Sequence, residues 1–120
     1  MRFMIFVKAT KQSETGALPS PEGLAAMDKY NEELIKAGVA IGGGGLKASK
    51  FGARVQISKQ GKTTVIDGPF TETKELVAGY GIMQCNSLQE AIEWIKRWPP
   101  QPEDAEIEIR PFIEVSDFPA

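Results

Sequence analysis

Residues 2–8 read Arg2-Phe3-Met4-Ile5-Phe6-Val7-Lys8, five consecutive apolar positions between two cations. Successive side chains of a strand point to opposite faces, so this run is apolar on both sides and needs cover on both. The run is too short for a signal-peptide core and far too short to span a bilayer. The chain is therefore expected to be cytoplasmic, with no membrane partner.

The segments that follow supply the cover. Residues 9–19, ATKQSETGALP, read as a loop. Ser20 offers an N-cap with Pro21 at the first helical position, opening a helix to Ala37 that Gly38 ends. Its expected inner stripe is Leu24, Met27, Asn31, Leu34 and Ile35, with Asn31 either a structural amide or a ligand contact. Val39-Ala40-Ile41 opens a second strand that runs into Gly42-Gly43-Gly44-Gly45, either a bulged strand end or a point of close ligand approach. The next residues, Leu46-Lys47-Ala48, lack the ending of a phosphate loop.

Arg54 to Ser58 alternates and pairs across Lys59-Gln60-Gly61-Lys62 with Thr63 to Ile66 as a hairpin. Leu76 to Cys85 reads as a strand, and Ser87-Leu88-Gln89-Glu90 as a capping box. The helix it opens turns Leu88, Ala91, Ile92 and Ile95 inward, with Trp94 and Trp98 as a packed ridge, and Pro99-Pro100 stops it. Glu106 to Arg110 alternates as a last strand before a frayed tail at 116–120.

The order strand, helix, strand, hairpin, strand, helix, strand predicts one α+β domain over 1–120: a ferredoxin-like sandwich with an added β-hairpin and two helices on one face of an antiparallel sheet. Two helices on one face leave the other face of the first strand bare. A second copy packed there sheet to sheet, in the manner of a dimeric α+β barrel, would cover it and enclose a cleft, so a homodimer is expected.

Composition removes much chemistry. With no histidine, Ser-His and Cys-His nucleophilic sites are excluded, and with one cysteine the usual zinc sites go too. Cys85 reads as a buried, inert thiol. The net charge is −2, and the 14 Lys and Arg are interleaved with 16 acids along the chain, so no nucleic-acid partner is expected. No metal or other cofactor is implied, and acid–base work would fall to Asp, Glu, Lys or Tyr.

Residues 65–81, VIDGPFTETKELVAGYG, hold the candidate site. An aspartate at a turn ordinarily accepts from the amide two residues on, but here that residue is Pro69, which has no N–H. Asp67 must then cap Phe70 or Thr71, or point to solvent or a pocket beside Arg54 or Lys74. As a structural cap it leaves Phe70 as a core anchor and Glu72, Lys74 and Glu75 as solvated charges. As a functional group it is a general base or ligand anchor, with Gly68 and Pro69 stiffening its turn. In that case Phe70, Glu72, Glu75 and Tyr80 stand beside a ligand, and Arg54, Lys74 or Arg110 holds its anionic group. A base would need burial to raise its proton affinity.

This stretch, with MDKYNEELIKAG at 27–38, GGGL at 43–46 and SLQEAIEWIKRWP at 87–99, resembles the YCII-related proteins, in particular the subgroup named after the Asp-Gly-Pro-Phe tetrapeptide. The resemblance implies a dimeric ferredoxin-like fold with a pocket near the tetrapeptide. One branch of the wider group is a dehydrochlorinase with a proposed His-Asp pair, of which this chain lacks the histidine. Members of the subgroup are often linked with sigma factors of the extracytoplasmic-function type. They commonly carry glutamate where Gly44 stands and a large aromatic where Gly81 stands, so both departures are expected to reshape a pocket. Two functions follow: a small enzyme acting on a small organic acid by Asp67-mediated proton abstraction or elimination, or a non-catalytic metabolite-binding or regulatory partner.

Overall fold

Strand β1 (Arg2–Lys8) lies inside a four-stranded antiparallel sheet whose order is β2 (Ala40–Gly45), β5 (Val77–Gln84), β1, β6 (Ile107–Pro111). The structure is a computed structural model and describes residues 1–119, leaving aside the Lys74 side chain. Helices α2 (Pro21–Lys36) and α3 (Leu88–Ile95) share one face of the sheet, and a short helix α1 (Lys11–Glu14) follows β1. The arrangement is α+β and compatible with a ferredoxin-like fold. Strands β3 (Ala53–Ile57) and β4 (Thr63–Asp67) form a separate two-stranded hairpin.

The register of β1 sorts its side chains as the alternation requires. Phe3 lies opposite Met83, and Ile5 between Gly81 and Ile109, on the helix-covered face. Phe3 and Ile5 are the largest fully buried side chains, and they pack with Tyr30, Leu34, Val39, Met83, Cys85 and Ala91. Met4 and Phe6 point the other way and stay half-exposed. Glycines at β2 and β5 let those strands approach closely: a Cβ on Gly43, whose φ is 154°, would lie 2.6 Å from the Tyr80 carbonyl oxygen. The register slips between Ala40 and Gly42, so the glycine run does begin at a bulge.

Four local readings change. Residues 11–14 are helical because Thr10 and Ser13 cap each other, Thr10 Oγ1 accepting from the Ser13 amide at 3.1 Å and Ser13 Oγ from the Thr10 amide at 2.8 Å. The inner stripe of α2 is Met27, Tyr30 and Leu34, while Leu24, Asn31 and Ile35 are exposed. Tyr30 wins the inward place because its ring packs edge-on against Trp98 at 5.4 Å and its hydroxyl donates to the Trp94 carbonyl at 2.6 Å. In α3, Ser87 caps the Glu90 amide but Glu90 reaches back to Asn86, and Leu88 is exposed rather than inward. The tail forms a 3-10 turn at Val115–Asp117, held where Arg2 donates twice to Glu114 at 2.9 and 3.1 Å; Ala120 lies outside the described residues.

Burial pushes the Tyr30 hydroxyl up to about 12, Arg97 opposing and Glu33 adding to the rise. An unfolded tyrosine loses its proton near 10, so between these values the folded chain keeps a proton that the unfolded chain has lost, and stability falls as pH rises. Tyr30→Phe should flatten the alkaline loss of stability by roughly 2 kcal/mol across that window, as read by urea unfolding at successive pH values. Equal slopes in both proteins would refute this role.

Candidate functional site

The turn at 67–70 is fixed from outside itself. Helix α1 presents Glu14, whose Oε1 accepts from the Ser49 amide at 3.0 Å and whose Oε2 accepts from the Ser49 hydroxyl at 2.5 Å. Ser49 Oγ in turn accepts the Phe70 amide at 3.0 Å. The Phe70 amide, one of the two that Asp67 could have capped, is thus capped by a residue that precedes the hairpin. Gly68 donates its amide to the Gly52 carbonyl at 3.0 Å, and a Cβ at 68 would overlap the Ser49 carbonyl oxygen. Only glycine fits there, which accounts for the second letter of the tetrapeptide. The Gly68–Pro69 peptide is cis.

With its neighbours held by Ser49, Asp67 is exposed, and among the described residues nothing donates to or pairs with its carboxylate. Phe70 is half-buried under Arg54, whose guanidinium carbon stands 3.9 Å from the ring centroid. That stacking commits Arg54 to the turn, with the cation–π attraction of an exposed site worth about 0.5–1 kcal/mol. Pro69, Glu72 and Glu75 are exposed, and the Lys74 side chain lies outside the described residues.

Tyr80 and Arg110 stand elsewhere, on the sheet face the helices leave open. There Met4 lies between Ile82 and Arg110, and Phe6 between Tyr80 and Glu108. Arg110 is only loosely paired, its Nη1 3.9 Å from Glu108, which also faces Lys8 at 3.7 Å. A shallow depression of about 270 Å³ is lined by Met4, Phe6, Arg110, Pro111 and Phe112. Gly44 belongs to this face, since a Cβ there would touch the Tyr80 ring at 3.8 Å. Gly81 does not: its Cβ direction points to Ile5 at 3.7 Å, so a larger residue at 81 would enter the core rather than a pocket.

The expected site residues therefore fall into two groups, the hairpin base with Asp67, Gly68, Pro69, Phe70 and Arg54, and the open face with Tyr80 and Arg110. Within one chain no hydrogen bond or ion pair among the described residues joins them. Sequence reading missed Glu14 and Ser49, which lie far from the tetrapeptide along the chain and carry no local signal. Cys85 is buried, and burial raises its thiol further from the reactive thiolate.

Ser49→Ala strips Glu14 of a donor and Phe70 of an acceptor, and should cost about 1–3 kcal/mol in urea unfolding. Asp67→Asn should stay within about 0.5 kcal/mol, the range of a surface change that breaks no contact. The reverse order would make Asp67 the structural residue.

Over 52 residues the chain is 40% identical to an uncharacterized protein of Rhizobium meliloti (strain 1021), a match covering 42% of this chain and 42% of that protein, less than half of either. The family model described as the YCII-related domain matches residues 1–116. The chain belongs to the YCII-related family.

Proposed function

We propose that the protein acts as a homodimer, joined through the open faces of its sheets, whose cleft binds a small organic acid. The observation that carries this reading is the open face itself: a cation, Arg110, with its side chain 69% exposed, over an apolar floor of Met4 and Phe6. An apolar floor with one loosely paired guanidinium suits an organic carboxylate, since the floor takes the carbon skeleton and the guanidinium forks onto the two oxygens. A second copy would exclude water from this face and strengthen that pairing. The tetrapeptide at 67–70 supports placing the chain in the Asp-Gly-Pro-Phe subgroup.

An enzymatic reading is favoured by one observation, the carboxylate of Asp67 on a clamped turn, which no described residue engages. Proton abstraction or elimination would then be its task, with the organic acid as substrate. In a single chain Asp67 is exposed, so this chemistry also requires the dimer to bring cover to the hairpin base. A regulatory role beside a sigma factor rests on the subgroup resemblance and calls for no proton transfer.

Sedimentation equilibrium should return twice the 13.1 kDa of one chain. In a thermal-shift screen of small mono- and dicarboxylates, at least one acid should raise the melting temperature of the wild type. At a hundredfold excess over Kd the stabilisation is about 2.7 kcal/mol. Arg110→Gln should abolish the shift while leaving the ligand-free melting temperature in place. A monomer, or a shift that survives in Arg110→Gln, would sink the reading.

A further inference from the structure

Every residue of β3 and β4 is exposed, although the hairpin is far from polar. Its pairing places Ala53 opposite Asp67, Val55 opposite Val65 and Ile57 opposite Thr63 on one face, and Arg54 opposite Ile66 and Gln56 opposite Thr64 on the other. The second face is turned to its own chain at the base, where Arg54 covers Phe70. The first face is an apolar strip, with Val55, Val65 and Ile57 exposed to 59, 64 and 72%. An isolated two-stranded hairpin is marginal in water and needs a surface to pack on.

The shape of the chain says that this surface is not its own. A compact chain of this length has a radius of gyration of about 14 Å, whereas this one has 16.6 Å, with extents of 49 × 46 × 19 Å. The thin dimension matches one sheet plus one helix layer, so the hairpin extends in the plane of the slab and overhangs the sheet. Four strands spaced by about 4.8 Å and about 23 Å long present a projected face of roughly 440 Å². A stable interface takes about 800 Å² of accessible surface per partner. Accessible surface exceeds projected area on a face of side chains, so the sheet alone falls near the lower end for such an interface, and the exposed strip of the hairpin is apolar surface that would extend it.

Charge chooses the same occupant. Between Glu33 and Asp67 the chain holds no acid, and residues 47–67 carry Lys47, Lys50, Arg54, Lys59 and Lys62 against Asp67 alone. From totals of 14 and 16, that leaves 9 Lys and Arg against 15 Asp and Glu in the rest of the molecule. A basic arm therefore belongs to an acidic body, and a second copy offers that body. Nucleic acid would satisfy the cations but leave the Val55, Ile57 and Val65 strip in water.

We propose that the β3–β4 hairpin is an interface arm whose Val55, Ile57 and Val65 face lies against the second copy in the dimer, so that Asp67, on that same face, is enclosed by the neighbouring chain. This rests on the dimer of the preceding reading and adds to it. The proposed site is then composite, with Asp67 and its clamped turn from one copy and the surface that encloses it from the other. It also supplies the cover that the single chain withholds from Asp67.

The test is the mass of charged variants by sedimentation equilibrium, each first checked for an unchanged circular dichroism spectrum. Val65→Glu and Ile57→Glu alter side chains that are exposed in the single chain, so folding should survive. Each should raise the dimer dissociation constant at least tenfold. Gln56→Glu and Thr64→Glu, which place the same charge on the opposite face, should change it less than threefold. A wild type that is monomeric ends both the dimer reading and this one. A dimeric wild type whose mass resists Val65→Glu and Ile57→Glu ends this inference and leaves the sheet-face dimer standing. Retardation of a mixed-sequence DNA duplex that is lost in a Lys59→Gln, Lys62→Gln variant, with the dimer untouched by Val65→Glu, overturns it in favour of nucleic acid.

Discussion

The central strand has two apolar faces and the chain has one layer of helices. Phe3 and Ile5 meet Tyr30, Leu34 and Ala91, which accounts for the core. Met4 and Phe6 meet nothing comparable. The glycines of β2 and β5 tighten the imbalance, because Gly42 and Gly44 put no side chain onto the open face beside Ile82 and Tyr80. Burying a single large aliphatic or aromatic side chain is worth about 1.5–3 kcal/mol. A row of them only partly covered on a chain of this size thus leaves part of that stabilisation unrealised.

The acidic turn answers a different constraint, the crowding of backbone on backbone. Three segments meet at Ser49: α1 through Glu14, the chain entering β3, and the chain leaving β4. Close approach excludes any side chain at 68, and the serine hydroxyl, accepting one bond and donating another, satisfies the amide that proline at 69 leaves to its neighbour. Because Ser49 does this, the Asp67 carboxylate engages no partner among the described residues, while the backbone on either side of it is fixed. A cap could have been provided locally by the aspartate, at which point the residue would have had no chemistry left to offer.

Elements written in short-range patterns were legible. The two-residue alternation of β3 and its hairpin with β4, the Ser20-Pro21 start and the positive-φ Gly38 stop of α2 all follow from neighbours in sequence. The strand order β2-β5-β1-β6 is compatible with the sandwich expected from element order. Readings failed where a distant partner decided. Tyr30 and Asn31 compete for one inward position on α2, and the winner is chosen by Trp94 and Trp98, which are far along the chain. Of the alternatives open to Asp67, the cap on Phe70 went to Ser49 for the same reason. The charge pattern was missed through averaging: a net charge of −2 hides an acid-free run from residue 34 to residue 66.

What remains for chemistry is narrow, and it is narrow by structure as well as composition. Histidine is absent, the single thiol is buried, and the Tyr30 hydroxyl is tied to a carbonyl in the core with its proton held more tightly than usual. Carboxylates are left, and several of them are engaged: Glu14 by Ser49, Glu114 by Arg2, Glu33 by Arg97, Glu90 by the Asn86 amide at the start of α3. Asp67 sits on a turn whose backbone is clamped, and no described residue engages its oxygens. Whether such a group serves as a base or as an anchor depends on how much water a partner removes. Enclosure decides that question, and in the proposed dimer it would come from the apolar strip of the hairpin rather than from the turn that carries the acid.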